Sequence, residues 1–359
     1  MDYKNHFKEK LSHLIFLEIN KEFLEESLDI KGLTSLEEDL YLPLSPEYLA
    51  ENITKEFVKN LPFSEFVKGM YYTLGADKDL NYNPTYIKIL KSIKKDKAVK
   101  GLVAKLVKEG KKEEAIIYLI GLYEVHKEKE VMVNLLSLIE DQALTREMYL
   151  DALINYSEKA VDDGIVEGYL FKGSALRLKS AFSEAIFALR EYKRLGGEVT
   201  KEISEEMEFL DRKSTILEAE SILYENPKVF LEKILPILSL EEDNPRLLLE
   251  IGIAYRLLGL HEKAIYYLND ALAIDNAFTD VINELGINYA SLGIYDKAIE
   301  YFRALFEDIR SIEILTNLIT TYINSGDIES AKEHIKIAEL MDEDDEILKE
   351  IKEFMKTLE

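Results

Sequence analysis

The chain has 359 residues, 47% of them hydrophobic, a formal net charge of −24 and no cysteine. That content of apolar residues is enough for a large core, and the absence of cysteine excludes a disulfide framework, a thiolate nucleophile and a zinc–thiolate site. The acidic balance repels nucleic acid at long range and favours basic or neutral partners, although it would also serve solubility alone.

The N-terminal residues do not read as a signal peptide. Their apolar run, Leu14 to Leu17, stops at Glu18, and a leader needs a longer stretch with a small-residue cleavage site. No apolar run approaches the roughly 18 residues of a membrane span. The expectation is a cytoplasmic chain with no membrane insertion.

Residues 1–95 show no internal period. Helix starts are marked by Ser45-Pro46, Leu61-Pro62 and Asn83-Pro84, and Phe63, Phe66, Met70, Tyr71 and Leu74 form an apolar stripe. Proline in the first turn gives up an N–H that has no helical partner there. The expectation is a separate all-helical domain over 1–95, packed on the start of the segment beyond it.

From Lys88 to Lys112 there are ten lysines, opposed by Asp96 and Glu109 alone. A basic stripe can follow a phosphate backbone. The absence of arginine, the near absence of aromatic residues and the acidity of the whole chain argue against nucleic acid here. The remaining readings are a solvated helix face, an internal electrostatic contact or an acidic partner.

A period emerges beyond residue 95. Val99, Leu102, Leu106, Gly110, Ala115, Leu119 and Leu122 make one candidate unit, and Tyr169, Gly173, Leu176, Ser180, Ala185, Leu189 and Tyr192 another. The stretch 131–165 between them is expected to hold a degenerate unit. Gly196-Gly197 marks a loop that breaks the phase. A further unit is expected over 211–244, with Asn226-Pro227 at its turn.

The signal is strongest over 245–343. Tyr255, Tyr289 and Tyr322 are each followed four residues later by a glycine (Gly259, Gly293, Gly326) and five residues after that by an alanine (Ala264, Ala298, Ala331). Successive triplets lie 34 and then 33 residues apart. A fixed period of this size marks stacked supersecondary units. Apolar spacings of three and four residues make each unit two amphipathic helices, and the recurrent glycine stands where the first helix stops. Gly252 and Gly286 fall inside the first helices instead. They are expected to let the paired helix approach closely, with the alanines of the second helix opposite. Seven units are expected over 96–343. A closing helix over 344–359 would then cap them, with Ile347, Leu348, Ile351 and Phe354 along one side.

These residues resemble the tetratricopeptide repeat family: the Leu/Ile-Gly pairs, the tyrosine, the turn glycine, the alanine and the later Phe/Leu and Ala. The resemblance is close over 245–343. It departs at the closing proline, where Asn276 and Arg310 stand. It implies an all-α fold, a right-handed α-solenoid of helix–turn–helix units. It also implies a non-catalytic scaffold that binds a protein or peptide on the concave face built by the first helices. The groove positions it assigns include Arg246, Glu250, Ile253 and Arg256, then Asp280, Asn283, Glu284, Ile287 and Ser291, then Glu313, Asn317, Thr320 and Asn324. The family's lysine–asparagine clamp for a peptide carboxylate is missing, since Leu249 with Ile253 and Asn283 with Ile287 occupy its positions. A mixed, mildly acidic face suits a basic or polar partner.

No motif of catalysis stands beside this. Histidines at 6, 13, 126, 261 and 334 are not spaced as ligands on one helix face, and His261 is expected to be solvent-exposed. There is no GxGxxG, P-loop, GxSxG or HExxH pattern. Neither an enzyme, a metal nor a cofactor is expected. Two further readings of the same architecture are a peptide-responsive regulator with an N-terminal effector domain and an assembly factor for an enzyme complex. The oligomeric state is not readable from the sequence.

Overall fold

The computed structural model of the chain describes residues 2–34, 39–45, 48, 61–93, 96–241 and 243–357. Pro46, Lys94 and Lys95 lie outside these residues. The contacts divide the chain into two compact units, 1–211 and 212–359. The division does not fall at residue 95, and helices on either side of that position pack together.

The first unit is the less regular of the two. Its helices are α1 (Tyr3–Glu9), α2 (Lys21–Leu28), α3 (Phe63–Ala76), α4 (Asn83–Ile93), α5 (Asp96–Lys108), α6 (Lys112–His126), α7 (Lys129–Ala143), α8 (Met148–Asp162), α9 (Glu167–Leu178), α10 (Phe182–Arg194) and the start of α11 (Lys201–Glu220). Among the described residues one strand pair occurs: β1 (Phe16–Glu18) pairs antiparallel with β2 (Tyr41–Pro43), Leu17 opposite Leu42. The stretch 131–165 holds two helices, α7 and α8.

Helix α6 is buried on nearly all sides, the pattern of a central helix. Helix α3 crosses it at backbone contact. A β-carbon on Gly75 would overlap the Ile117 carbonyl oxygen, and one on Gly121 would overlap that of Tyr71.

The second unit carries the strong period. It begins within α11 and continues with α12 (Pro227–Ile234), which starts as expected, with the Asn226 side chain accepting from the Val229 N–H and proline in its first turn. It then gives way to a 3-10 turn over Leu235–Leu240. Pro236 has no N–H to continue the α-ladder. The paired helices are α13 (Pro245–Leu257) with α14 (His261–Ile274), α15 (Thr279–Ser291) with α16 (Tyr295–Asp308), and α17 (Ile312–Ser325) with α18 (Ile328–Met341); α19 (Glu346–Thr357) closes the chain.

Each turn is built the same way. Gly259, Gly293 and Gly326 have φ of +71°, +74° and +85°, a region costly for residues with a β-carbon. In each turn the next residue's N–H returns to the carbonyl of the repeat tyrosine: Leu260 to Tyr255, Ile294 to Tyr289 and Asp327 to Tyr322, all at 2.9 Å. This is the long hydrogen bond of a helix ending in a left-handed residue.

Inside the first two pairs the glycine is filled by a large side chain rather than matched by an alanine. A β-carbon on Gly252 would meet Leu268 at 2.7 Å, and one on Gly286 would meet Phe302 at 2.6 Å. Leu268 and Phe302 are fully buried, which contributes about 1.5–3 kcal/mol each. Ala264, Ala298 and Ala331 are also buried. The tyrosines stack on the second helices: Tyr255 on Tyr267 with ring centres 5.4 Å apart, and Tyr289 on Tyr301 at 5.7 Å. In the third pair His334 takes that place beside Tyr322.

On α19, Leu348, Ile351 and Met355 are buried, while Ile347 and Phe354 are exposed. The buried stripe is therefore set one position away from the expected side. No helix among the described residues is long and apolar enough to cross a membrane.

Candidate functional site

A cleft of ≈ 560 Å³ opens in the second unit. Its walls are the neighbouring first helices α13 and α15, with Phe278 between them and Glu220, Leu223 and Tyr224 ahead of them. The period sets the pairing of side chains. Arg246, Leu249 and Glu250 on α13 stand 34 residues before Asp280, Asn283 and Glu284 on α15, and all six line the cleft with Ile253.

The two equivalent glutamates are treated differently. Glu284 is buried, and the Arg256 guanidinium grips it with both arms, Nε to Oε2 at 2.6 Å and the second N–H group to Oε1 at 3.0 Å. Bidentate pairs of this kind are among the stronger charge contacts. Glu250 is equally buried, but only the Arg246 Nε reaches it, at 3.3 Å from Oε1. Its Oε2 is out of contact with solvent and has no hydrogen-bond partner. Burial pushes the Glu250 carboxyl above the usual carboxylate range; the nearby charge of Glu220 adds to this and Arg246 opposes it. At the position 34 residues before Arg256 the chain has Ile222, so the repeat supplies no second arginine.

Six of the expected groove residues therefore converge: Arg246, Glu250, Ile253, Asp280, Asn283 and Glu284. Arg256 does not line the cleft but braces Glu284. Asn317 lies one helix further on, donating to the Asn283 side-chain oxygen at 3.3 Å. Ser291 is exposed with its hydroxyl turned to the Ile287 carbonyl at 2.8 Å, and Asn324 is exposed away from the lining. His261 is half-buried rather than exposed, tied to the Asn288 side chain at 3.0 Å. Sequence reasoning missed Glu220, Leu223, Tyr224 and Phe278. The first three precede the strong repeats, where the phase fades and no groove position is assigned.

The first unit has a cleft of ≈ 380 Å³ beside α1, lined also by Leu74 to Asp79, Glu124 and Lys159. Two of its lysines are paired within the fold. Lys8 pairs with Asp77 at 2.9 Å, and Lys159 with Glu124. Nearby, Glu113 gathers Lys10 Nζ at 2.6 Å, His6 Nε2 at 3.2 Å, the Tyr149 hydroxyl at 3.1 Å and the Arg146 guanidinium. Burial raises the Glu113 carboxyl, but the bonds from Lys10 and Arg146 outweigh it and hold the group at about 2. This knot ties α1 to α6 and α8.

Part of the lysine-rich stretch is also engaged internally. Lys100 contacts Asp96 at 3.0 Å and Glu128 at 2.7 Å, Lys111 contacts Glu109 at 2.9 Å, and Lys112 contacts Asp141 at 2.6 Å. The internal contact is the reading that these pairs support.

The family model for the tetratricopeptide repeat matches residues 245–278, which is α13, its turn and α14. Among solved structures, YrrB, described as a TPR protein with an unusual peptide-binding site, is 17% identical with a TM-score of 0.30, covering 66% of this chain and 97% of that one. The complex of the TPR2AB domain of yeast Sti1 with pHSP90 is 15% identical at a TM-score of 0.32, covering 72% and 96%. The MamA protein is 20% identical at 0.37, covering 50% and 92%. No curated protein matches. The chain thus carries a tetratricopeptide repeat at residues 245–278.

Proposed function

We propose that the chain is a non-catalytic scaffold that holds a protein or peptide segment in the cleft between α13 and α15. The observation that carries this is the convergence of in-phase side chains from neighbouring first helices on one concave surface. Leu223, Leu249, Ile253 and Phe278 provide apolar wall, and Arg246, Glu250, Asp280 and Asn283 provide polar groups among them. Pockets that combine apolar lining with a few convergent polar groups are the usual form of a binding site. Because both walls are packed helices, the surface is preformed, which lowers the ordering cost of association. The residual charge is negative, so a basic or polar segment suits it. In this reading α19 covers the last repeat, and Ser291 and Asn324 are peripheral.

The test uses exposed lining residues so that the fold survives. Tyr224 is 71% exposed and Asp280 is exposed. Random dodecapeptides displayed on phage are selected on the full chain and then measured on the double variant Tyr224→Ala, Asp280→Arg. The expected result is loss of binding with an unchanged melting curve. Peptides that bind the double variant as tightly as wild type would overturn the groove reading.

A further inference from the structure

We infer that the bound segment is anchored by a basic side chain, arginine or lysine, whose N–H groups complete the open oxygen of Glu250. The inference rests on the reading of this cleft as a peptide groove and adds the chemistry of its occupant.

Three observations carry it. Glu250 is 8% exposed, and its Oε2 has no partner. A buried carboxylate oxygen left unpaired costs the free fold stability and is completed best by a charged donor. Glu284, one repeat later, shows what a satisfied group at this position looks like: two arginine N–H groups on two oxygens. Finally, the present partner of Glu250 is a loose one. Arg246 has a side chain that is 77% exposed and makes a single long bond, so its rotation opens the carboxylate to an incoming cation at little cost.

The surroundings fit the same group. Glu220 and Asp280 add negative charge to the lining. Leu249 and Ile253 offer apolar surface for the alkyl stem of lysine or arginine, and Tyr224 offers a ring face to a cation. A metal ion is a poorer fit, because no three His, Asp or Glu side chains among the described residues converge to hold one.

Function and stability separate at this one residue. Glu250→Gln keeps the shape and removes the desolvated charge. The full-length variant is expected to melt no lower than wild type while losing affinity for the selected dodecapeptides by roughly tenfold or more. On the peptide side, one recurrent arginine or lysine is expected. Its replacement by citrulline or norleucine should cost wild type a similar factor and cost Glu250→Gln nothing further.

Six outcomes count against it. Selected peptides that lack a basic residue, or that bind Glu250→Gln as well as wild type yet are lost by Tyr224→Ala, Asp280→Arg, remove the anchor and leave the groove standing. Peptides indifferent to both variants, or no enrichment at all, remove the groove and the anchor together. Free arginine binding at Glu250 where no peptide does overturns the assignment to a segment. A Glu250→Gln protein that melts well below wild type shows the carboxylate to be satisfied already, and the inference fails.

Discussion

The two units solve helix packing in different ways. In residues 212–359 a glycine on the first helix makes a hole, and a leucine or phenylalanine from the second helix fills it. In residues 1–211 the weakly periodic α9–α10 pair repeats this, with Leu189 against Gly173, but glycines on α3 and α6 bring two backbones into contact with no side chain between them. The first arrangement yields to a small change, because a side chain can turn. The second does not, because a carbonyl cannot move without its helix. Periodicity thus marks the more tolerant of the two packings, and the aperiodic unit holds the stricter one.

The sharpest test of this contrast is Gly121→Ala. Its new β-carbon overlaps the Tyr71 carbonyl oxygen, so α3 and α6 must separate. The expected cost exceeds about 4 kcal/mol, seen as loss of protection from hydrogen exchange across α3 and α6. Gly75→Ala against Ile117 should behave alike. If either variant melts within a few degrees of wild type, the backbone contact is not what holds this unit.

A second large effect is expected at Glu113, and it also separates the units by pH. Its carboxyl is held at about 2 in the fold, against an ordinary value of 4.5. A lowered folded-state pKa gives stability that is complete above 4.5 and is lost as pH falls towards 2. Glu250 has the opposite sign, since its raised carboxyl makes the charge a cost at neutral pH that disappears on acidification. Acid titration should therefore weaken the first unit before the second. Glu113→Gln should cost about 2–4 kcal/mol at neutral pH, because Lys10 and Arg146 lose their shared acceptor. It should also flatten the acid limb. A variant that keeps the wild-type acid limb would show that another carboxylate governs it.

These contrasts explain what the sequence makes legible. The tyrosines, turn glycines and alanines over 245–343 act through contacts repeated at one spacing, so their positions and their helix pairs can be read directly. Upstream, the turn bond recurs at Lys111 N–H to Leu106 and Ala181 N–H to Leu176, both 2.9 Å, so the weak phase around Gly110 and Ser180 is real. The α3–α6 contact is illegible because Gly75 and Gly121 meet across 46 residues with no repeat to announce it. The strand pair rests on two three-residue segments, too short for a pattern. In the cleft, the periodic half is readable from Arg246 to Glu284. The difference between Glu250 and Glu284 is not, because it depends on Arg256 having no counterpart at Ile222.

A moderate effect is expected at the filled glycines. Gly286→Ala places a β-carbon 2.6 Å from the Phe302 ring and Gly252→Ala one 2.7 Å from Leu268. Overpacking costs about 1–3 kcal/mol, while alanine restores about 1 kcal/mol of helix propensity. The net loss should be about 0–2 kcal/mol in a denaturant titration, well below that of Gly121→Ala. Leucine can change rotamer more freely than a phenylalanine ring, so Gly252→Ala should cost less than Gly286→Ala. Equal losses at Gly121 and Gly286 would erase the distinction between the two packings.

The smallest expected effect has the opposite sign. The turn of the α9–α10 pair makes the same returning hydrogen bond as the strong repeats, yet Ser180 stands there at φ +59°. A left-handed conformation costs a residue with a β-carbon about 1–2 kcal/mol. Ser180 is exposed, so little packing is lost with its side chain. Glycine removes the strain but brings a more mobile unfolded chain, which returns about 0.4–1 kcal/mol of the gain. Ser180→Gly should therefore stabilise residues 1–211 by at most about 1.6 kcal/mol, and Gly293→Ser should cost the second unit a similar amount. Opposite signs from the two exchanges would show one turn geometry shared by the regular and irregular units. A Ser180→Gly variant less stable than wild type would mean that the first unit holds this turn by contacts the repeats do not use.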